Sequence, residues 1–391
     1  MHPSEEIFCE KSSKLKGRTI VMGITGSVAS SECFATIREL IRHGARVIPV
    51  LTPSAMDFVT PLSMHYASGN EPVTALTGKT EHIDLMAGSE ADVLLVYPAT
   101  ANTISKIANG IDDTAVTSMA TVALGSGVPV AIAPAMHDAM FRNPAVQENI
   151  ERLKKMGVTF IGPRIDGPRA RVAPKEEVIA SVFRILSKDD LAGKRILIIG
   201  GRSEEPIDSM RIVTNRSTGM MAVRLANRAL ERGADVELWM GGCSVPIPEY
   251  IRTTRFDSVS DLIALLDNID HDIVIVPAAL ADFAPENRTE GKISSSDGFD
   301  LRLEPVPKVL PMICRRCSKV IGFKAESGLT EEELIRRARA RMQEYGLYAI
   351  VANDIDSAGK TSSSAIIITS ESYRNITGTK ENIADSILDR C

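Results

Sequence analysis

The chain has 391 residues, of which 45 are basic and 50 acidic, so its formal net charge is −5. A chain of this length is expected to form about two domains. The absence of a basic block argues against a nucleic-acid or membrane surface, and an aromatic content of only 4% leaves few platforms on which single-stranded nucleic acid could stack.

The N-terminus and the cysteines indicate a compartment. The first residues lack the apolar core of a signal peptide, and no apolar run approaches the ~20 residues needed to span a bilayer. The six cysteines have no disulfide-framework spacing, so we expect a cytoplasmic protein with free thiols. For the single C-x-x-C, Cys314 to Cys317, two interpretations remain open: an accident at a helix end, and a metal or redox site.

The first half alternates buried-strand patterns with helical patterns. Helical spacing occurs between strand-like runs that are nearly continuous in apolar residues, which is typical of strands covered on both faces. This alternation predicts a parallel α/β sheet. The predicted strands are 19–26, 46–52, 92–99, 129–136 and 159–163.

The pattern restarts after a polar segment at 186–195. We therefore predict two domains, 1–188 and 189–391, each a doubly wound parallel sheet. The last segment predicts a helix with Thr379 as its N-cap. The strands predicted in the second half are 195–201, 235–242, 272–279, 320–326 and 348–354.

Small polar residues follow three strands of the first half. Gly26 and Ser27 lie in a glycine turn that lacks the G-x-G-x-x-G spacing, which favours a mononucleotide over a dinucleotide. Thr52 and Ser54 follow the second strand. The third strand leads into a segment that begins at 98 and is rich in small polar groups. Ligands of open α/β sheets bind where such strand ends converge.

These motifs carry a family resemblance. "GITGSVAS", "TPSA", "EHIDL", "PATANTISKIANGIDD" and "PAMHDAM", in this order, resemble the flavin-containing cysteine decarboxylases. Together with the second half, the chain over about 18–390 resembles the bifunctional phosphopantothenoylcysteine decarboxylases and phosphopantothenate–cysteine ligases. The resemblance implies a flavodoxin-like FMN domain followed by a Rossmann-like ligase domain.

The resemblance also implies site residues in the first half. His82 matches the family's catalytic histidine, which would act as a base while the flavin oxidises the substrate thiol. Without the resemblance, a lone histidine beside an apolar run is usually structural or on the surface. The implied FMN-binding residues are Gly26, Ser27, Thr52, Ser54, Thr100 and Asn102.

The segment 129–144 departs from the family pattern at His137. Many members have an asparagine there that holds the substrate carboxylate, and a histidine can also donate a hydrogen bond. Met140 is a substrate contact or a packing residue. The plain alternative is that Pro134 ends a strand and Pro144 starts a helix.

A second departure lies in the flap, 162–179, which has no cysteine. The bacterial bifunctional form carries a flap cysteine that acts on the ene-thiol intermediate. Another proton or electron donor must convert the ene-thiol intermediate here, or the first half does not complete the decarboxylase reaction. Arg169, Arg171 and Lys175 make the flap basic, which suits a phosphorylated substrate or a solvated loop.

The stretch 200–222 resembles the ligase signature, with Gly200 and Gly201 at a strand end. Asn215 matches the residue that acts at the acyl-nucleotide step, and Arg211 is assigned to substrate binding. Many members have a lysine where this chain has Met220, so one possible phosphate contact is absent.

The segment 277–293 resembles the family's nucleotide segment. Asp282 would meet the ribose or base, and Lys292 matches the lysine needed when cysteine attacks the activated acid. A solvated loop lysine is the alternative for Lys292. The implied nucleotide-binding residues are Pro277, Ala278, Asp282, Lys292, Pro307, Lys308, Val309, Phe323 and Arg341.

The function implied is coenzyme A biosynthesis: CTP-dependent ligation of cysteine to 4′-phosphopantothenate, then FMN-dependent decarboxylation to 4′-phosphopantetheine. Mg²⁺ would be held mainly by phosphates and water. The family's contacts imply trimers through the decarboxylase and dimers through the ligase, which could close into a dodecamer. Two alternatives are a ligase with an impaired decarboxylase half and a flavin-fold regulatory binding protein, against which the intact second half argues.

Overall fold

The computed structural model describes residues 2–88, 90–166, 169–294, 298–326, 328–354 and 363–391. The chain divides into two compact units, Met1–Ser187 and Lys188–Cys391. Each unit has its own sheet and its own core on both faces of that sheet.

The first unit is built on a five-stranded sheet in the order β2-β1-β3-β4-β5, with every pair parallel. This is the flavodoxin-like order. Its helices and strands are α1 Pro3–Glu6, β1 Thr19–Ile24, α2 Cys33–Arg42, β2 Arg46–Leu51, α3 Pro61–Ser68, β3 Val93–Ala99, α4 Ala101–Ala108, α5 Ala115–Ser126, β4 Val130–Pro134, α6 Asp138–Phe141, α7 Pro144–Lys155, β5 Thr159–Phe160, β6 Arg164–Asp166, β7 Arg169–Arg171 and α8 Lys175–Leu186.

The continuous apolar run of the central strand β1 is explained by its burial on both faces of the sheet. All six of its residues are buried. Ile20, Met22 and Ile24 pack in the core on one face of the sheet, whereas Val21 packs in the core on the other. Because helices cover both faces, neither set of alternate side chains meets water.

The second unit has an eight-stranded sheet in the order β12-β11-β8-β13-β16-β17-β18-β19. Its elements are β8 Arg195–Gly200, β9 Glu204–Pro206, β10 Ile212–Thr214, α9 Met220–Glu231, β11 Asp235–Met240, β12 Arg252–Arg255, α10 Val259–Leu265, β13 Ile273–Val276, β14 Phe283–Pro285, β15 Leu303–Pro305, α11 Val309–Cys314, β16 Val320–Glu326, α12 Glu331–Tyr345, β17 Ala349–Asp354, β18 Ser363–Ile368, β19 Tyr373–Gly378 and α13 Lys380–Leu388.

The topology confirms the predicted fold class. When the strands of this sheet are numbered along the chain, those from β12 to β17 are parallel and have the Rossmann order 3-2-1-4-5-6. The sequence pattern did not predict β18 and β19, which extend this sheet as antiparallel strands. The predicted closing helix is α13, and the Thr379 hydroxyl caps it by accepting from the Asn382 N–H at 3.3 Å.

The cysteines agree with the expectation of free thiols. All six cysteines are free. Cys314 ends α11, and burial together with nearby Cys317 raises the pKa of its thiol to about 11. Cys317 is buried in the same core as Val309 and Ile313, as the helix-end interpretation of the C-x-x-C expects. In the described part of the chain, no helix has the length and apolarity needed to cross a membrane.

Candidate functional site

Thr25 joins two strand ends of the first unit. It directly follows β1 and is fully buried. Its hydroxyl donates to the Pro98 carbonyl at 2.7 Å and accepts from the Thr100 N–H at 3.0 Å. Thr25 was not a predicted site residue, although a threonine in the apolar run of "GITG" was a signal that a partner was needed. Its two bonds fix the β1 turn against the start of α4.

The second strand end approaches the same turn closely. A Cβ at Gly26 would lie 2.5 Å from Ser54 Cβ, so only glycine fits there. The Thr52 N–H donates to the Ile24 carbonyl at 3.0 Å, and the Thr52 hydroxyl accepts from the Ala55 N–H at 3.2 Å. The structure therefore brings Gly26, Thr52 and Ser54 together.

Ser27, Thr100 and Asn102 complete this edge of the sheet. The Ser27 hydroxyl caps a 3₁₀ turn, Val28–Glu32, by accepting from the Ala29 N–H at 3.3 Å. Thr100 caps α4, and Asn102 is exposed in its first turn. Hydroxyl and amide groups gathered at strand ends suit a phosphate or another polar ligand.

His82 has a buried ring nitrogen with no partner. It immediately precedes a π-helical turn, Ile83–Ala87, a geometry that often marks functional sites. Within the described residues its Nδ1 is buried and makes no hydrogen bond. Buried polar atoms are rarely left unsatisfied, so this nitrogen is suited to a ligand.

His137 is exposed and caps the short helix α6. Its Nδ1 accepts from the Ala139 N–H at 3.2 Å. A neutral ring that accepts at Nδ1 carries its proton at Nε2, which leaves Nε2 as a donor toward solvent or substrate. Met140 is 50% exposed. The structural role of His137 and a ligand role are therefore compatible.

The flap forms an antiparallel ribbon of β6 and β7, and β7 contacts α6. A cavity of about 350 Å³ beside it is lined by Glu32, Arg164, Arg171 and Lys175, among others. Two of the basic residues predicted in the flap thus face one cavity. The side chain of Arg169 lies outside the part of the chain that the structure describes.

In the second unit, Ser203 joins neighbouring segments by hydrogen bonds, as Thr25 does in the first unit. It is fully buried. Its carbonyl accepts from the Thr214 hydroxyl at 2.7 Å, and its own hydroxyl accepts from the Ala281 N–H at 2.9 Å. Ser203 was not predicted, because its partners are distant in sequence. It ties the end of β8 to β10 and to the segment after β13.

Three glycines shape the turn into α9. A Cβ at Gly200 would lie 2.1 Å from Ala222 Cβ, and Gly201 and Gly219 have φ values of 81° and 78°. Gly219 directly precedes α9, which has no side-chain cap. The Met220 N–H donates to the Thr218 hydroxyl at 3.4 Å, whereas the next N–H groups of this 12-residue helix, those of Met221 and Ala222, are suited to an anion.

Asn215 meets the segment that follows β13. Its side-chain amide donates to the Ala279 carbonyl at 3.1 Å. Pro277 and Ala278, both half-buried, come directly before that carbonyl. Asn215, predicted to act at the acyl-nucleotide step, is therefore in contact with the predicted nucleotide segment at Ala279.

Asp282 and Lys308 form an exposed ion pair. The Val306 N–H also donates to the Asp282 carbonyl at 3.1 Å, which brings Pro307 and Lys308 to this side of the unit. Val309 is buried in the core, so its backbone, and not its side chain, is left for a nucleotide.

Of the last two predicted nucleotide residues, Phe323 lies one residue beyond Gly322, which pairs with Val276 of β13, so it stands beside Pro277 at the carboxyl edge of the sheet. Phe323 is half-buried against the core that contains α9 and α13. Arg341 on α12 donates to the Tyr345 hydroxyl at 3.1 Å and pairs with Glu344 at 3.6 Å. No described contact joins either residue to Asp282 or Lys308.

Lys292 is exposed, and its neighbours are held by the loop that precedes β10. Arg211 in that loop pairs with Asp208 and donates Nη1 to the Ile293 carbonyl at 3.3 Å. Part of the Arg211 guanidinium, predicted to bind substrate, is thus engaged within the protein. The described residues include no cluster of three or more histidine, cysteine or acidic side chains that could hold a metal ion.

Comparison with known proteins places both units in families. The model of the Flavoprotein family matches residues 9–187, and that of the DNA/pantothenate metabolism flavoprotein C-terminal domain matches residues 191–391. The crystal structure of the DNA/pantothenate metabolism flavoprotein from Streptococcus pneumoniae is similar with a TM-score of 0.47 and 25% identity, over 51% of this chain and 98% of that one.

Curated relatives match along the entire chain. The coenzyme A biosynthesis bifunctional protein CoaBC of Thermococcus kodakarensis is 41% identical, over 100% of this chain and 98% of its own. The protein of the same name from Methanocaldococcus jannaschii is 36% identical, over 100% and 97%. The chain therefore belongs to the family of coenzyme A biosynthesis bifunctional proteins, and it acts in coenzyme A biosynthesis as a decarboxylase and a ligase.

Proposed function

We propose that residues 189–391 join cysteine to 4′-phosphopantothenate with CTP, and that residues 1–188 decarboxylate the product with FMN to give 4′-phosphopantetheine. The observation that supports this best is the double family match in one chain. It is accompanied by a polar, glycine-bearing turn at the end of each unit's central strand, β1 and β8. The full-length match to bifunctional relatives does not favour a regulatory binding protein.

The residues of the first unit fit FMN. Because a side chain at Gly26 would collide with Ser54, the glycine lets the turns after β1 and β2 pack directly together, which brings Ser27 and Ser54 to one side of the proposed cofactor. Thr52, Ser54, Thr100 and Asn102 would surround the cofactor with hydroxyl and amide groups. The unpaired Nδ1 of His82 supplies a further polar contact. When bound, FMN would accept the two electrons removed from the substrate thiol.

Two histidines would serve the decarboxylase substrate. His82 would take the proton that leaves during thiol oxidation, because imidazole exchanges protons near neutral pH. His137 would donate Nε2–H to the substrate carboxylate, since its Nδ1 is occupied by the cap of α6. Met140, half-exposed one turn away, would contact the substrate.

The ligase unit would bind the nucleotide at the carboxyl ends of β8 and β13. Asn215 would act at formation of the acyl-nucleotide, held in place by the Ala279 carbonyl. Asp282 and Lys308 would meet the ribose or base and a phosphate, and their ion pair supports a joint role. Pro277, Ala278, Pro307, Val309, Phe323 and Arg341 would complete the nucleotide site.

Lys292 would act in the second ligase step, when the cysteine amine attacks the activated acid. Within the described residues the Nε and Nη2 groups of Arg211 have no partner, and they would be available to the acidic substrate. Mg²⁺ would be bound by the nucleotide phosphates and water. We also propose trimer contacts through the first unit and dimer contacts through the second, closing into a dodecamer.

The test is a product assay on the purified full chain. We expect visible flavin absorbance, CTP-dependent formation of 4′-phosphopantothenoylcysteine, and release of carbon dioxide when that product is supplied alone. A colourless protein that ligates but releases no carbon dioxide would contradict the decarboxylase assignment. Equal turnover with ATP would contradict the assignment of CTP.

A further inference from the structure

The residues on both sides of Lys292 are hydrogen-bonded to one loop, residues 207–211. The Thr289 N–H donates to the Ile207 carbonyl at 3.0 Å, and the Ser209 N–H donates to the Gly291 carbonyl at 3.1 Å. After the lysine, the Ile293 N–H donates to the Asp208 carboxylate at 3.0 Å. An exposed lysine thus stands on a backbone that is fixed immediately before and after it.

Asp208 is the centre of this arrangement. Its side chain is 0% exposed. Oδ1 accepts from the Met210 and Arg211 N–H groups, each at 2.7 Å, while Oδ2 accepts from Ile293 and pairs with the Arg211 guanidinium. A buried carboxylate is tolerated when its oxygens are satisfied in this way.

The two oxygens of Asp208 have different tasks. Oδ1 closes its own loop, since both its donors are backbone groups two and three residues further along. Oδ2 pairs with Arg211 in the same loop and also accepts from the Ile293 N–H, 85 positions away. A turn that only needed a cap would require a single acceptor oxygen. The bond from Ile293 to Oδ2 links the Asp208 loop to the Lys292 segment.

The same loop also leads to the residue of the first ligase step. Arg211 is followed directly by β10, Ile212–Thr214, and then by Asn215. The Thr214 hydroxyl is bonded to Ser203, so this path is fixed at both ends. Asn215 is thus held by the Thr214–Ser203 bond and by its own bond to Ala279, neither of which involves Asp208.

We propose that Asp208 is a positioning residue for cysteine transfer, which acts by holding the backbone on which Lys292 stands. This inference rests on the role proposed above for Lys292. A loosened segment would displace the ammonium group from the attacking amine, and a displacement of about 1 Å can slow a reaction by about 10²-fold. Formation of the acyl-nucleotide does not need Lys292, so it would be nearly unaffected at saturating 4′-phosphopantothenate, which offsets weaker substrate binding by an Arg211 that has lost its Asp208 partner.

The experiment separates the two half-reactions in Asp208→Asn. An asparagine has one side-chain oxygen, so it cannot accept on both sides as the carboxylate does. Pyrophosphate release without cysteine reports the first step, and a cysteine chase reports the second. Asp272→Asn is the control, because Asp272 also accepts from a backbone N–H, that of Arg195 at 2.8 Å, but lies at the amino ends of the strands.

At saturating 4′-phosphopantothenate we expect Asp208→Asn to form acyl-nucleotide within about twofold of the wild-type rate and to transfer it to cysteine about 10- to 100-fold more slowly. The Ile293 amide should exchange its hydrogen faster, a readout that does not depend on activity. Asp208→Asn combined with Lys292→Gln should be no slower in transfer than Lys292→Gln alone, because residues that act as a unit are not additive.

Other results would contradict either the positioning role of Asp208 or the proposed role of Lys292. Equal losses in both half-reactions, or an unchanged transfer rate, would make Asp208 a structural residue only. If Lys292→Gln blocked transfer while Asp208→Asn did not, only the positioning role would be wrong. If Lys292→Gln transferred at the wild-type rate, the proposed role of Lys292 would fail, and any slow transfer in Asp208→Asn would have to act without it.

Discussion

The side-chain amide of Asn215 donates a hydrogen bond to the carbonyl of Ala279 at 3.1 Å. This bond joins the turn that precedes α9 to the segment that follows β13. It also fixes the orientation of the amide, because the nitrogen faces Ala279 and the oxygen is directed away from it.

We predict that Asn215→Asp slows formation of the acyl-nucleotide by at least about tenfold. The new carboxylate would face the Ala279 carbonyl with an acceptor in place of a donor, and it would repel the substrate's negative charges. Pyrophosphate release without cysteine measures this step. Asn227→Asp is the matched control, because among the described residues the Asn227 side chain accepts from the Tyr250 hydroxyl at 2.9 Å and makes no other hydrogen bond, and aspartate can accept in the same way. Equal rates in the two variants would contradict the role of Asn215.

Local patterns predicted the central parallel strands and the cap at Thr379, since these depend on neighbouring residues, but they missed the strands β12, β18 and β19. The continuous apolar run of β1 and the cap at Thr379 are examples. Thr25 and Ser203 escaped prediction, because their side-chain partners lie 73 and 78 residues away. A sequence shows that a buried threonine or serine needs a partner, but the fold decides which one it finds.

Gly26 provides a test of the cofactor site. We predict that Gly26→Ala lowers FMN retention, because the added methyl would lie 2.5 Å from Ser54 Cβ and must push the two strand ends apart. Ligase turnover should be unchanged, since it belongs to the other unit. The measurement is the flavin-to-protein ratio after gel filtration. Gly125→Ala is the control, because a Cβ there meets nothing within 4 Å. A full complement of flavin in Gly26→Ala would show that the close approach is not required.

The lowered pKa of Asp208 leads us to predict that the stability of the protein depends on pH. Burial alone would raise its pKa, but the backbone hydrogen bonds of Met210, Ile293 and Arg211, with the Arg211 side chain, lower it from 3.8 to about 2. A lowered folded-state pKa stabilises the protein fully above the unfolded value, and this contribution is lost as the pH falls from about 4 to about 2. The free energy of unfolding should therefore fall less steeply in Asp208→Asn than in the wild type across this range. The free energy of unfolding would be measured by urea titration at each pH. An equally steep fall with pH in both proteins would contradict the assignment.

The last prediction separates the two roles of His137. Its Nδ1 caps α6 at 3.2 Å from the Ala139 N–H, while Nε2 is proposed to hold the substrate carboxylate. Asparagine and aspartate are both good N-caps, but only asparagine can also donate a hydrogen bond to a carboxylate. We therefore expect His137→Asn to keep much of the decarboxylase activity and His137→Asp to lose it, with ligase turnover unchanged in both.

His137→Leu removes both the cap and the donor, so it should lose activity and also destabilise α6 by about 1 kcal/mol. His82→Asn should retain FMN yet fail to oxidise the thiol, because its proposed role is in the reaction. Carbon dioxide release and flavin reduction in stopped flow, with 4′-phosphopantothenoylcysteine as substrate, measure all four variants. If His137→Asp released carbon dioxide as fast as His137→Asn, a capping oxygen would be all that this position needs. The histidine would then be a helix cap at the end of a strand, and the substrate carboxylate would be held elsewhere.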